Sequence, residues 1–382
     1  MSEENINTLQ SRTEGWIAGL QLAALSIQGR DDPSKEIAAF GSRHDYIVEY
    51  LVAEVLNRQS ESLRTFLLQT SILSRLNGSL CDALTERSDG SATLTTCAKS
   101  DLFLSPLGGA HGWYRYHSLF ADVMHNRLQR LYPDQTPALH LRAANWFREH
   151  NLFDEAIKHA LAANEYQLVG DIVESQAREL LHLGNLSTLM GWLNTLPAEI
   201  VNGRPVLSVD SAWVYLLIGK LEPIEGYLTT AEKKLDDQDD ADELRGQIAA
   251  IRAYSTARQG QLDQAIDQAH AALELLPKDD FSVRCVVAYV LGEVYQFRQD
   301  SPRALSYLRE ASQFGQQAGN IHLAVAALRS MGDLLSKQGK LAESEKNYYQ
   351  ALQVGSGRKG QPLPITSGVY YDLAELHLAQ GN

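Results

Sequence analysis

The chain has 382 residues, 44% of them apolar and 21% charged, which is room for two or three domains with buried cores. Its 34 basic and 47 acidic side chains leave a net charge of −13 with no Lys/Arg-rich run, which argues against nucleic acid or an anionic membrane as a direct partner of these residues. Cys81, Cys97 and Cys285 have no metal-ligand spacing, no stretch approaches the roughly 18 consecutive apolar residues of a membrane span, and the polar, acidic N-terminus is no signal peptide. A cytoplasmic, soluble protein with buried cysteines is expected.

In chain order, helical periodicity runs from Asp45 to Leu73, Leu80 to Asp89 and Thr93 to Ser100. The text changes between Phe103 and His117. There, Phe-Leu-Ser-Pro-Leu and Trp-Tyr-Arg-Tyr-His flank a glycine-rich stretch, and two β-prone runs around such a turn predict a hairpin. A further helix is expected from Leu119 to Leu131. Three helices with one hairpin is the order of a winged-helix domain.

From about residue 136 a repeat takes over. Turns containing Gly or a polar residue fall at Glu149–Leu152, Leu183–Leu186, Ile218–Leu221, Gln259–Leu262, Gln299–Pro302, Gln338–Leu341 and Ala379–Asn382. The second residues of the five turns from Leu183–Leu186 to Gln338–Leu341 are 184, 219, 260, 300 and 339, and the last turn has Gly381, a period near 40. Glycine suits the left-handed residue that ends the first helix of a pair. After the turns, small residues recur at Ala156, Ala160, Ala163, at Ala265, Ala269, Ala272, and at Ala304, Leu308, Ala311, with Ala351 one repeat on. That stripe lets neighbouring helices approach closely, and packing is its full explanation. Breakers at Pro277, Gly319 and Gly360–Pro364 separate the units. The fold class expected is mostly α: a winged-helix domain followed by a tetratricopeptide-like α-solenoid of helix pairs. The helix from Tyr370 to Gln380 has no partner helix after it, so with apolar Tyr371, Leu373, Ala374, Leu376 and Leu378 uncovered it is expected to fray or to bury itself against another molecule. Both chain ends are abrupt, as in an excised piece of a larger protein.

Specific motifs carry a family resemblance. They are the run from Arg12 to Leu25, Thr70-Ser-Ile-Leu-Ser-Arg-Leu76, Leu80-Cys-Asp-Ala-Leu84, Asp101-Leu-Phe-Leu104, the run from Trp113 to Asp122, Trp146-Phe147 and the run from Asp154 to Leu161. In these the chain resembles the large ATP-dependent, MalT-like regulators of the LuxR family, within the STAND class of signal-transduction ATPases. The resemblance implies an order of nucleotide-binding module, winged helix, helical-repeat sensor and C-terminal helix-turn-helix. On it, residues 1–42 are the last helices of a nucleotide-binding module, 43–135 the winged helix, 136–200 a helical arm with the first repeats, and 201–382 the sensor solenoid. No GxxxxGK[ST] loop, Walker-B strand or helix-turn-helix is present in these residues, so the resemblance places ATP hydrolysis, ATP/ADP binding and DNA binding in a parent protein. No cofactor and no enzymatic activity are expected of the fragment itself.

The resemblance singles out His117, in Tyr-Arg-Tyr-His, as the winged-helix histidine that meets the β-phosphate of bound ADP. An imidazole can donate to a phosphate; a histidine capping the junction of hairpin and helix is the plainer reading. Trp16 falls where such proteins approach the nucleotide, but a buried packing tryptophan is the preferred reading. Gly355-Ser-Gly-Arg-Lys-Gly360 lacks a preceding strand and reads as an inter-repeat loop; the acidic run Asp236–Glu243 lacks the glycine and final glutamate of a calcium loop and reads as a solvated connector. Eleven histidines without HExxH, and serines without GxSxG, support neither a metal nor a hydrolase. Trp213, Tyr215, Tyr254, Tyr289, Tyr295, Tyr307, Tyr348, Tyr370 and Tyr371 offer flat rings for a ligand groove, and inter-repeat packing would use the same rings.

The expected function is the signal-sensing region of an ATP-dependent transcriptional regulator, with an inducer or regulatory protein on the solenoid and self-association in the parent. A free-standing tetratricopeptide-like adaptor is the rival, and a STAND protein with an output other than DNA binding is a third reading.

Overall fold

The computed structural model describes residues 6–8, 55–100, 102–108, 112–235, 241–356 and 361–380. The motif at 12–25, Trp16 and nearly all of 1–42 lie outside the described residues, as do 236–240 of the acidic run, 357–360 of the glycine-rich loop and the hairpin tip at 109–111. The chain divides into two compact units, Met1–Val169 and Gly170–Asn382.

In the first unit, α1 (Glu61–Thr70), α2 (Gly78–Thr85) and α3 (Gly90–Lys99) precede β1 (Leu104–Pro106) and β2 (Tyr114–Tyr116), and α4 (Ser118–Leu131) follows. Two starts are fixed by polar caps: Ser60 accepts from the Leu63 amide and Asn77 from the Leu80 amide. The expected hairpin is present, antiparallel, with Leu104 opposite Tyr116 and Pro106 opposite Tyr114. Leu76 adds a bridge to Tyr114, with N···O distances of 2.8 Å in both directions, which the sequence pattern does not show. Each of these helices buries one stripe; that of α4 is Leu119, Phe120, Val123, Met124 and Leu128. Tyr116 enters this core, and its hydroxyl meets Thr70 Oγ1 at 2.7 Å. Cys81 and Cys97 are buried free thiols within it, the role expected of them.

A helix pair, α5 (Thr136–Glu149) and α6 (Phe153–Ala162), closes the unit through a left-handed Asn151. The pair has a polar core. His140 and His159 approach Nδ1 to Nδ1 at 2.8 Å, Phe147 stacks on His159 at 5.4 Å, and His125 of α4 sets its ring edge against His140 at 6.5 Å. Burial pushes all three imidazoles below their usual range.

The second unit takes up the helix α7 (Tyr166–Leu183) from Gly170 onward. After it come α8 (Leu186–Leu193), α9 (Ala198–Gly203), α10 (Pro205–Leu217) and α11 (Ile224–Leu235). The pairs α12 (Asp242–Arg258) with α13 (Leu262–Leu275), α14 (Phe281–Phe297) with α15 (Ser301–Ala318), and α16 (Ile321–Lys337) with α17 (Leu341–Val354) complete the stack, with α18 (Ser367–Gln380) last. Within a pair the helices pack antiparallel, and the first helices α10, α12, α14 and α16 also contact in succession, the nearest-neighbour plan of a solenoid.

The turns of the pairs sit at left-handed Gly184, Gly219, Gly260, Gln299 and Gly339. At the fourth the expected register shifts by one: Gln299, at φ 61°, is the left-handed residue, whereas Asp300, at φ −87°, caps α15 by accepting from the Arg303 amide. The small-residue stripes are fully buried as expected, including Ala265, Ala269, Ala272, Ala304 and Ala311. Their counterparts in α17 are Ser344, Tyr348 and Ala351, 40 residues on.

That one large ring is accommodated from the facing helix. A Cβ on Gly332 would stand 2.4 Å from the Tyr348 ring, and a Cβ on Gly292 would stand 2.7 Å from Leu308. The equivalent residues one repeat earlier are Ala253 and Ala269, both small. As the second helix gains volume the first loses its side chain, and packing density is kept. The last helix does not leave its whole apolar face bare: Leu373 and Leu376 are buried in the core of the last repeats, while Tyr371 and Leu378 are 63% and 76% exposed. A helix apolar on several sides can bury one stripe on its own repeat and still present others.

Candidate functional site

His117 stands at the end of β2 and is the N-cap residue of α4. Its amide donates to the Phe103 carbonyl at 2.7 Å, and its carbonyl accepts from the Ala121 amide. Its half-buried ring sets an edge against Phe103, 6.1 Å between centroids. The imidazole makes no side-chain cap bond to α4, so the helix start is carried by its backbone alone.

The repeat aromatics divide. Tyr295 stacks on Tyr307 at 5.6 Å and 4°, Tyr254 lies under Arg258 at 5.1 Å, and the buried Tyr348 donates to Asp333 at 2.6 Å. Each of these contacts lies within one repeat. Tyr370 and Tyr371 are exposed. Of the rings singled out in the sequence, Trp213 and Tyr215 line clefts.

Among the described residues of the repeat unit, two clefts stand out. The first, about 470 Å³, is bounded by α8 to α11. Its stacked Tyr215 and Tyr227 rings, 5.6 Å apart, face Asn194, Asn202 and Thr230, and no charged side chain lines it. The second, about 310 Å³, lies between α7 and the successive first helices α10, α12 and α14. Both volumes are within the range of small-molecule sites, roughly 300–1,000 Å³.

The smaller cleft has the more specific chemistry. Helical spacing brings Val206, Asp210, Trp213 and Leu217 of α10 to one wall, and Glu174, Arg178 and Leu181 of α7 to another. Leu244 of α12 and Val283 and Val286 of α14 add apolar surface, and Gln247 of α12 and His182 of α7 add polar groups. The Trp213 indole donates to Gln247 Oε1 at 3.2 Å, which fixes the ring. Glu174 accepts from Arg204 at 3.1 Å, and Arg178 reaches away to Glu243 at 2.6 Å. Asp210 is 9% exposed, and its Oδ2 has no hydrogen-bond partner. Burial, then the neighbouring Glu174, push its carboxyl up to about 7 against a weak pull from Arg178. Asp280 caps α14 through one oxygen, which accepts from the Val283 amide at 3.2 Å, while its other oxygen is buried and unpartnered.

None of these polar residues is legible as a motif. The available signal is Asp210 itself, a single carboxylate within Leu-Ser-Val-Asp-Ser-Ala-Trp-Val-Tyr-Leu-Leu, where every other residue is apolar or a small hydroxyl. Its helix is buried almost all round, so the carboxyl has no route to bulk water by rotation of the helix.

The chain matches the MalT winged helix domain over residues 52–136 and the MalT-like TPR region over residues 246–382. Both domains are of the MalT type. Curated relatives agree: the HTH-type transcriptional regulator MalT of Vibrio parahaemolyticus is 30% identical over 89% of this chain, and that of Serratia proteamaculans 29% over 96%. These alignments span 38% and 41% of the relatives, so the chain covers about two-fifths of their length. Among solved structures, a STAND protein with a tetratricopeptide repeat sensor from Pyrococcus horikoshii shares the fold, with TM-score 0.66, 15% identity, and 95% of this chain and 57% of that one covered. The smaller cleft of this MalT-like chain is built partly from residues before the TPR match, Glu174 to Leu217, and partly from residues within it. No helix among the described residues is long and apolar enough to cross a membrane.

Proposed function

We propose that this chain is the regulatory, signal-sensing region of a MalT-like, ATP-dependent transcriptional regulator of the LuxR family, acting in the cytoplasm. The observation that carries this reading is the succession, in one chain, of a MalT winged helix match and a MalT-like repeat match whose surrounding helices enclose two ligand-sized clefts. The repeats bind an inducer or a regulatory protein. The winged helix works inside the regulator, with ADP in a neighbouring nucleotide module favouring a resting state and inducer favouring an ATP-bound, self-associating one. DNA binding and nucleotide chemistry belong to segments other than those described above.

His117 is the residue through which the winged helix reads the nucleotide. Its backbone is fixed by Phe103 and Ala121 at the junction of β2 and α4, and an imidazole N–H is a group from which a phosphate oxygen can accept. In the regulator that includes its nucleotide module, His117→Ala should weaken ADP binding by about tenfold, as expected for loss of one charge-assisted hydrogen bond of roughly 1.5–3 kcal/mol. It should also raise the fraction self-associated without inducer. Unchanged ADP affinity, measured by calorimetry on a variant with wild-type melting, would remove His117 from the nucleotide site. A shift in ligand-induced melting of the isolated 382-residue chain tests the sensor reading separately.

A further inference from the structure

We infer that the cleft between α7, α10, α12 and α14 is built for a small organic cation, a protonated amine carried on an apolar body, with Asp210 as its counter-ion. The inference rests on the reading of the repeats as a sensor and names the class of ligand sensed.

A buried carboxyl costs free energy unless it is hydrogen-bonded, and an ionised one costs more unless it is also paired with a charge. Asp210 has a bare oxygen, and the one guanidinium on the cleft wall, Arg178, is already engaged by Glu243. The other carboxyl on α7, Glu174, is answered by Arg204, so Arg204 is not free to serve Asp210. Across the cleft, Asp280 brings a second unpartnered carboxylate oxygen. With Glu174 answered by Arg204 and Arg178 taken by Glu243, Asp210 and Asp280 are the two carboxyls of the lining with an unpartnered oxygen, and the resulting field favours positive charge. A neutral hydroxylated ligand could satisfy the hydrogen bonds but would leave the charge of Asp210 unmatched.

The remaining lining says what the cation is attached to. Leu181, Trp213, Leu244, Val283 and Val286 form apolar walls, and Val206 and Leu217 are exposed at 40% and 51%. A bare metal ion or a polyhydroxylated body would leave these walls unmatched, whereas an alkyl or aryl amine covers them with apolar surface. Trp213, anchored by Gln247, offers an indole beside the carboxyls, the pairing that suits an ammonium group. The first cleft, lined by Tyr215 and Tyr227 with no charge, has none of these demands.

The test compares matched pairs on the 382-residue chain by titration calorimetry: hexylamine, 2-phenylethylamine and tryptamine against hexanol, 2-phenylethanol and tryptophol. At pH 7.5 at least one amine should bind at least tenfold more tightly than its alcohol. Asp210→Asn should lower that amine affinity at least tenfold, leave the alcohol within twofold, and melt no lower than the wild type. At pH 6.5 amine binding should release protons, visible as a heat that depends on the buffer, and Asp210→Asn should abolish this. A purely structural Asp210 would show no such release. An alcohol that binds as well as its amine overturns the inference while leaving the sensor reading intact, as does an amine affinity indifferent to Asp210→Asn in a folded variant. Absence of binding by every probe overturns the inference too, and the sensor reading then stands or falls on its own melting screen.

Discussion

The two units are held together by opposite strategies. In Met1–Val169 each buried contact is different: a Thr70–Tyr116 hydroxyl pair, a Phe103–Phe120 stack at 5.2 Å, an Arg75 guanidinium 4.5 Å over Trp113, and a row of neutral histidines. In Gly170–Asn382 one contact, small residue against helix backbone, recurs about every 40 residues and is varied only by exchanging volume between facing positions. A set of unlike contacts depends on each member and on conditions that change its charge. A repeated contact is insensitive to pH and sensitive to volume. Among the described residues of the repeat unit, Asp210 is an exception, a carboxyl buried where the pattern elsewhere is packing.

The largest expected effect separates the units by acid. His125, His140 and His159 are kept neutral by burial, so between pH 6.5 and their lowered folded values the unfolded chain binds more protons and stability falls as pH falls. Each ring that fully titrates contributes about 1.4 kcal/mol per pH unit. Asp210 runs the other way. Burial pushes its folded carboxyl up to about 7 from the ordinary 3.8, so between those values the folded state holds the extra proton, and stability rises as pH falls. Region-resolved hydrogen exchange, corrected for the intrinsic rate, should show α4 to α6 losing on the order of 2–4 kcal/mol of protection between pH 7 and pH 4.5. Protection of α10 should hold or increase. Parallel loss in both would break the comparison.

The same contrast explains what was readable beforehand. The winged helix was legible because hairpin chemistry interrupts a helical text: Pro106 and Gly112 bracket a turn between β-prone runs, and no helix tolerates that succession. The solenoid was legible from the glycine turns and the alanine stripe, because both are local. Leu76 joining Tyr114 was not, since a single bridging residue has no periodicity. The left-handed Gln299 was not, since its type gives no sign of its dihedral and Asp300 beside it looks more like a turn residue. The cleft was least legible. Glu174, Asp210, Gln247 and Asp280 are scattered over 107 positions and meet only because successive first helices stack. His117 was reachable by resemblance; its neighbours Phe103 and Ala121 needed the fold.

A volume change should strike the repeats harder than any polar change. Gly332→Ala places a Cβ 2.4 Å from Tyr348, whose ring is 3% exposed and whose hydroxyl is tied to Asp333, so the ring cannot swing aside. Overpacking of this kind costs roughly 1–3 kcal/mol. In a Tyr348→Ala background the same change restores the Ala253–Ala269 arrangement and should cost nothing, so a double-mutant cycle by denaturant unfolding should show strong coupling. Additive costs would mean that volume is not what links the two helices. In the other unit, Tyr116→Phe removes only one buried hydroxyl. Thr70 keeps its bond to the Phe66 carbonyl at 2.7 Å, so about 1 kcal/mol is expected, read as a shift of the unfolding midpoint.

The smallest effect is a gain. Every other turn within the repeat pairs from Gly184 to Gly339 uses glycine in the left-handed region, at φ 71°, 76°, 81° and 75°, and Gln299 alone holds φ 61° with a Cβ. An L-residue there is strained by roughly 1–2 kcal/mol relative to its right-handed form, and glycine is not. Glycine also gives the unfolded chain more freedom, which offsets part of that gain. Gln299→Gly should therefore raise stability by a net of about 0.5–1 kcal/mol, a rise in melting temperature of a degree or two for a unit of this size. Gly260→Ala is the mirror change: a Cβ there meets nothing within 4 Å, so its cost of about 1 kcal/mol isolates backbone strain from packing. If the two changes shift melting in opposite directions by similar amounts, turn conformation alone accounts for both. If Gln299→Gly lowers it instead, the Gln299 side chain contributes contacts that outweigh its strain, and the fourth turn is then stabilised by a device its glycine counterparts do not use.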